Sequence, residues 1–181
     1  MNWVKKNWSN VLFVVVIVLL VLPQTSLPIK TFVSRITATS PNTESEIERE
    51  VLTDYQWNLK DLNCGEADFS KFKGKKILIN FWATWCPPCV ADMPSMQELY
   101  NDYKDNVVFV FVTNEKEPAV NKFITKYGYT FPIYKAISPT PELLRTNNLP
   151  TTYLLNEAGE ILINKTGAAD WNSDNVRALM E

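Results

Sequence analysis

The seven residues Lys76–Trp82 (Lys-Ile-Leu-Ile-Asn-Phe-Trp) run almost directly into Cys86-Pro87-Pro88-Cys89, and a helix-forming stretch continues from there to Tyr103. A short, nearly all-apolar run bounded by polar residues reads as a buried central strand. The strand must therefore deliver a cysteine pair to the start of a helix. In the first helical turn residues i and i+3 share one side, so the two sulfurs are close enough to join. The free N–H groups and the positive dipole end of the helix then favour a thiolate on Cys86. This makes Cys86 the expected nucleophile, with Cys89 placed to attack the mixed disulfide and release the substrate.

Other uses of the pair fit poorly. The chain contains no histidine, and its third and last cysteine is Cys64, so a four-ligand zinc site lacks donors. Haem attachment through Cys-x-x-Cys-His fails because Val90 follows Cys89. The absence of histidine also removes Ser-His and Cys-His nucleophile pairs and imidazole bases. No metal and no cofactor is expected. Three cysteines do not make a disulfide scaffold, and Cys64 reads as an unpaired small residue.

Around this centre the signals alternate. Tyr55–Leu59 suggests a strand with a turn from Asp61 to Glu66, and Val107–Thr113 a second buried strand. Glu117–Tyr127 reads as a helix opened by Pro118 and stopped by Gly128. Thr151–Leu155, the turn Asn156–Gly159 and Ile161–Thr166 read as a hairpin, and Asn172–Met180 as a last helix. The order predicts an α/β domain with parallel strands at its centre.

The N-terminus carries a twelve-residue apolar run, Val11–Leu22. Alone it is shorter than the ~20 residues of a spanning helix, but Trp8, Ser9 and Asn10 on one side and Pro23–Leu27 on the other extend it. No small-x-small cleavage pattern follows Leu22, which favours a retained membrane anchor over a removed signal peptide. The expected organisation is an anchor segment over 1–29, a polar tether over 30–50 and a folded domain over 51–181. Three of the 18 basic residues and none of the 20 acidic ones fall in the first thirty positions. The remainder is mildly acidic, and no nucleic-acid partner is expected. Lys5 and Lys6 before the run are nearly balanced by Lys30 and Arg35 after it. A short basic head before a long acidic domain places that domain on the extracytoplasmic (periplasmic) side of the cell membrane.

The segment Phe81-Trp-Ala-Thr-Trp-Cys-Pro-Pro-Cys89 resembles the active-site stretch of the thioredoxin superfamily, and in particular its TlpA/ResA-like membrane-anchored thiol-disulfide oxidoreductases. Gly74-Lys75, Met93-Pro94 and Leu149-Pro-Thr-Thr-Tyr-Leu-Leu-Asn-Glu-Ala-Gly159 add to the likeness, which covers roughly Tyr55 to the C-terminus. The resemblance implies a thioredoxin-like α/β fold with a central mixed sheet flanked by helices. It also implies a cis-proline at Pro150 beside the cysteines, and substrate contacts at Trp85, Leu149 and Pro150. In such proteins the backbone of the residue before that proline, here Leu149, pairs with a substrate peptide. The implied activity is reduction of disulfides in exported proteins, such as apocytochrome c or its assembly factors, with electrons from a membrane thiol donor.

Two positions depart from the pattern. Asn80 stands where ordinary thioredoxins carry a buried aspartate, and Asp92 stands where the anchored reductases resemble one another in having a glutamate. Asp92, three residues beyond Cys89, is the candidate acceptor for the Cys89 proton. An acid complementing the helix dipole is the alternative role. Two rival functions share the fold. Thiol peroxidases resemble one another in Pro-x-x-x-Thr-x-x-Cys, where this chain has Ile79 and Ala83; a non-catalytic binding module is the other.

Overall fold

The computed structural model describes residues 7–8, 10–13, 30–34, 36, 38–43, 49–62 and 65–181. Most of the apolar run Val11–Leu22, and with it most of the expected anchor, lies outside the described residues, as does Cys64. Among the described residues no helix is long and apolar enough to cross a membrane.

Seven strands form one sheet: β1 (Asn58–Asp61), β2 (Gly65–Asp68), β3 (Lys76–Phe81), β4 (Val107–Val112), β5 (Ile133–Ala136), β6 (Thr151–Leu155) and β7 (Ile161–Thr166). Their spatial order is β2-β1-β5-β4-β3-β6-β7. β3, β4 and β5 run parallel, and the remaining pairs are antiparallel. Among the described residues from 49 onward, three α-helices accompany the sheet: α1 (Pro87–Tyr103), α2 (Glu117–Tyr127) and α3 (Asp174–Met180).

Strand periodicity sorts the core into two halves. Leu78, Phe109 and Phe111 point to one face, where they meet Met93, Met96 and Leu99 of α1, Val120 of α2 and Val176 and Met180 of α3. Ile77, Ile79, Val110 and Val112 point to the other, where Leu52, Trp57, Phe69 and Leu144 cover them. The crossovers β3–α1–β4 and β4–α2–β5 step in the same direction across the sheet, so connections of one hand put both helices on one face. The opposite face is closed by the segment before β1 and by two 3-10 turns, Phe69–Phe72 and Glu142–Leu144. Both cysteines belong to the helix-covered half.

Several boundaries differ from the sequence expectation. The first strand is Asn58–Asp61 rather than Tyr55–Leu59, because Trp57 is drawn into a turn: its N–H donates to Tyr55 O and its carbonyl accepts from Phe69 N–H, each at 2.9–3.0 Å. The last helix starts at Asp174, not Asn172: the Asn172 backbone N–H is taken by the Asp170 carboxylate at 3.2 Å, and its side chain donates from Nδ2 to Glu98 and accepts at Oδ1 from Arg177, both at 2.6 Å. α1 starts at Pro87, with Cys86 extended (φ −90°, ψ 106°) as its cap. β3 and β4 each end one residue early, although Trp82 N–H still reaches Val112 O and Thr113 N–H reaches Tyr134 O, both at 3.0 Å. β2 and β5 were not expected at all. α2 occupies the expected residues and ends on Gly128 in the left-handed region (φ 71°), which a residue without a Cβ adopts at no steric cost.

Part of the stretch expected as a tether touches the domain. Thr39 forms a parallel bridge with Ala169, and Asp170 N–H donates to Thr39 O at 3.1 Å. Glu50 O accepts from Ile161 N–H at 2.9 Å.

Candidate active site

The carboxyl end of β3, in the middle of the sheet, opens into the turn Trp82–Trp85 and then into α1. Prolines occupy the first two helical positions, where backbone N–H groups have no intrahelical partner and a missing donor costs nothing. Cys89 N–H is therefore the first amide of α1 that can donate, and it donates to Cys86 Sγ at 3.3 Å. Cys86 caps the helix with its own sulfur. The two cysteines are joined in a disulfide, with Cα atoms 5.2 Å apart. Cys89 is fully buried and Cys86 nearly so (3% exposed), while the adjoining Trp85 stands out at 65% exposed. Behind the pair the buried Trp82 packs against Phe123 of α2, ring centroids 5.5 Å apart.

The peptide Leu149–Pro150 is cis. Its loop is held by Thr151 Oγ1, which donates to Asn148 O at 3.0 Å and contacts Thr166 Oγ1 at 3.2 Å, and by Gly167 N–H on Pro150 O at 2.9 Å. Among the described residues the N–H and C=O of Leu149 have no hydrogen-bond partner. Leu149 and Trp85 line one groove of about 440 Å³, together with Glu115 and Arg145; the adjoining Pro150 is buried.

Asp92 lies one turn beyond Cys89 on α1 and is 1% exposed. Its Oδ1 accepts from Ala169 N–H at 3.1 Å, and no hydrogen bond of ordinary geometry reaches Oδ2. Burial pushes this carboxyl up to about 7, against partial relief from the Ala169 amide, the neighbouring Trp171 indole and the charge of Lys165. A buried acid with an unpaired oxygen and a titration point near neutrality has the properties of a proton acceptor for a thiol. Asn80 is also buried; its Nδ2 donates to Thr152 Oγ1 at 2.7 Å and its Oδ1 has no partner.

The structure thus brings Trp85 and Leu149 to one groove, keeps the adjoining Cys86 and Cys89 buried at the head of α1, and sets Asp92 on the inner side of that helix. Sequence reasoning missed Glu115 and Thr84. Glu115 accepts from both the backbone N–H (2.5 Å) and the hydroxyl (2.8 Å) of Thr84, inside the turn that leads to Cys86. The available signal was its position just past the carboxyl end of a central parallel strand, where α/β sheets gather functional side chains.

Residues 38–179 match the Redoxin family. The chain is 39% identical over 113 residues to "Thiol-disulfide oxidoreductase ResA" of Halalkalibacterium halodurans, covering 60% of this chain and 64% of that one. It is 42% identical over 108 residues to the protein of the same name from Geobacillus kaustophilus, covering 57% and 61%. The chain thus matches less than two thirds of the length of these relatives. Among solved structures, a DsbF homologue from Corynebacterium diphtheriae superposes with a TM-score of 0.61 at 19% identity, over 79% of this chain and 94% of that one, a likeness of fold.

Proposed function

Because this chain belongs to the redoxin family, whose fold here carries a cysteine pair at a strand-to-helix junction, we propose that it is a thiol-disulfide oxidoreductase that reduces disulfides in exported proteins. The observation that carries the reading is the capped pair itself: Cys86 Sγ receives the Cys89 N–H, and the adjoining Trp85 lines a groove with Leu149, whose backbone N–H and C=O have no partner among the described residues.

The reaction balances without a cofactor. The Cys86 thiolate attacks one sulfur of the substrate disulfide, forming a mixed disulfide and releasing the other sulfur as a thiolate that takes a proton from solvent. Cys89 gives its proton to Asp92, and its thiolate attacks Cys86 Sγ. That breaks the mixed disulfide, frees the second substrate thiolate and leaves Cys86–Cys89 oxidised. Two electrons pass to the substrate, and a membrane thiol donor returns them. An extended peptide hydrogen-bonded to Leu149 N–H and C=O would hold the substrate sulfur against Cys86, as strand addition to a free backbone edge does elsewhere.

Direction follows from the donors around the nucleophile. A strong oxidant specially stabilises its reduced form. Pro87 and Pro88 offer no N–H, and among the described residues Cys86 Sγ receives one donor only. The pair therefore belongs at the reducing end. The N-terminal apolar run supports a single anchor with the domain on the extracytoplasmic face, and substrates of the apocytochrome c class fit that placement.

The test is a Cys89→Ala variant expressed in its host, which stalls at the mixed disulfide on Cys86. Mass spectrometry should find exported cysteine proteins there; cytosolic partners alone would contradict the reading. N-terminal sequencing of the membrane fraction, in the same preparation, should return the intact terminus. A start between Pro23 and Ser40 would identify a signal peptide instead.

A further inference from the structure

Glu115 stands apart from the reaction just described, yet its carboxylate is committed to the residue two positions before the nucleophile. Thr84 N–H donates to Oε2 and Thr84 Oγ1 to Oε1, at 2.5 and 2.8 Å. Glu115 N–H in turn donates to Thr113 Oγ1 at 3.3 Å, which fixes its backbone at the end of β4. The turn it grips is short: Cys86 N–H closes back on Ala83 O at 3.2 Å. The ion pairs recorded among the described residues are Arg49–Glu160, Lys60–Glu117 and Arg177–Asp102, so no cation within 4 Å neutralises Glu115.

We propose that Glu115 is a positioning residue for the nucleophile: its carboxylate fixes the Thr84–Trp85–Cys86 turn and opposes the build-up of negative charge on the Cys86 sulfur. This rests on Cys86 being the nucleophile. The Cα atoms of Thr84 and Cys86 can lie no more than about 7.6 Å apart along the chain, so the charge is tied to a residue two positions from the nucleophile. A like charge at that range disfavours the thiolate. It works against the Cys89 N–H and the dipole of α1, which favour it. The balance makes Cys86 a less stabilised and so better reducing thiol. Among the described residues, Arg145 lines the same groove as Glu115, and on the Cys89 side of α1 stands Asp92, on which the charge of Lys165 of β7 acts.

The experiment is the pH dependence of iodoacetamide alkylation of Cys86, read by mass spectrometry on that residue's peptide, in the reduced full chain carrying Cys89→Ala. Glu115→Gln keeps a hydrogen-bonding amide but removes the charge. It should move the midpoint to lower pH, raising the thiolate fraction at neutral pH about threefold, the Coulomb effect of one charge at about 7 Å near water. Glu115→Asp, which keeps the charge, should stay near the wild-type midpoint. Because Asp92 titrates near the same pH, the comparison is repeated with Asp92→Asn, where the shift should persist. Thr84→Val cuts the hydroxyl tie and lets the carboxylate swing outward, so it should shift the midpoint the same way by less; it decides the matter if Glu115→Gln does not fold. An unshifted midpoint in the folded variants, even with lowered stability, would reduce Glu115 to a structural role and overturn the proposal. Reactivity at Cys86 no greater than at Cys64 would overturn it differently, by removing the nucleophile it rests on.

Discussion

Asp92 and Ala169 are 77 residues apart in the chain, and the Ala169 N–H donates to Asp92 Oδ1 at 3.1 Å in the buried space between α1 and the segment after β7. That bond orients the carboxylate, while no hydrogen bond of ordinary geometry reaches its second oxygen and the Trp171 indole lies beside it. One turn of α1 separates it from Cys89.

If Oδ2 takes the Cys89 proton, Asp92→Asn slows the resolving step and leaves the first attack by Cys86 largely unchanged. Base assistance of this kind contributes typically ~10²- to 10⁴-fold. The measurement is single-turnover decay of the Cys86 mixed disulfide against pH. In the wild type the decay should rise as Asp92 ionises through about pH 7; in Asp92→Asn that rise should vanish. Asp92→Glu restores a titrating carboxyl and should recover a pH-dependent decay. An identical profile in the amide variant would return Asp92 to the role of a charge near a helix end.

The same carboxyl has a consequence for stability. The folded protein holds the Asp92 proton up to about pH 7, whereas an unperturbed carboxyl releases it at 3.8. Between those values the folded state binds more protons, so this group makes the protein less stable as pH rises through that window. The loss is on the order of 4 kcal/mol at most. Thermal unfolding of the oxidised protein from pH 4 to 8 should show Asp92→Asn gaining on the wild type as pH rises. A constant difference between the two would mean that Asp92 titrates as in the unfolded chain.

Legibility in the sequence tracked how local each feature is. β3 and β4 lie centrally in the sheet and read as nearly continuous apolar runs, as buried strands do. β2 (Gly-Glu-Ala-Asp) is a polar edge whose strand character comes from its ladder with β1, and β5 is four residues long between β1 and β4. Neither carries its own pattern. Trp57 looked like strand by its type, but its contact with Phe69 bends the chain. At the site, Cys86 and Cys89 were evident because three residues of spacing hold the whole geometry. The Glu115–Thr84 tie spans 31 residues and the Asp92–Ala169 bond 77, distances at which no local spacing signals a contact.

The central claim is that one cysteine pair carries the chemistry. Purified full chain, recycled by dithiothreitol, is assayed for reduction of insulin disulfides beside its Cys86→Ser and Cys64→Ser variants. Cys86→Ser should fall to the background of dithiothreitol alone, because the capped sulfur at the head of α1 is gone. Cys64→Ser should remain close to the wild type. Equal losses from the two substitutions, or full activity in Cys86→Ser, would contradict the assignment of the active site.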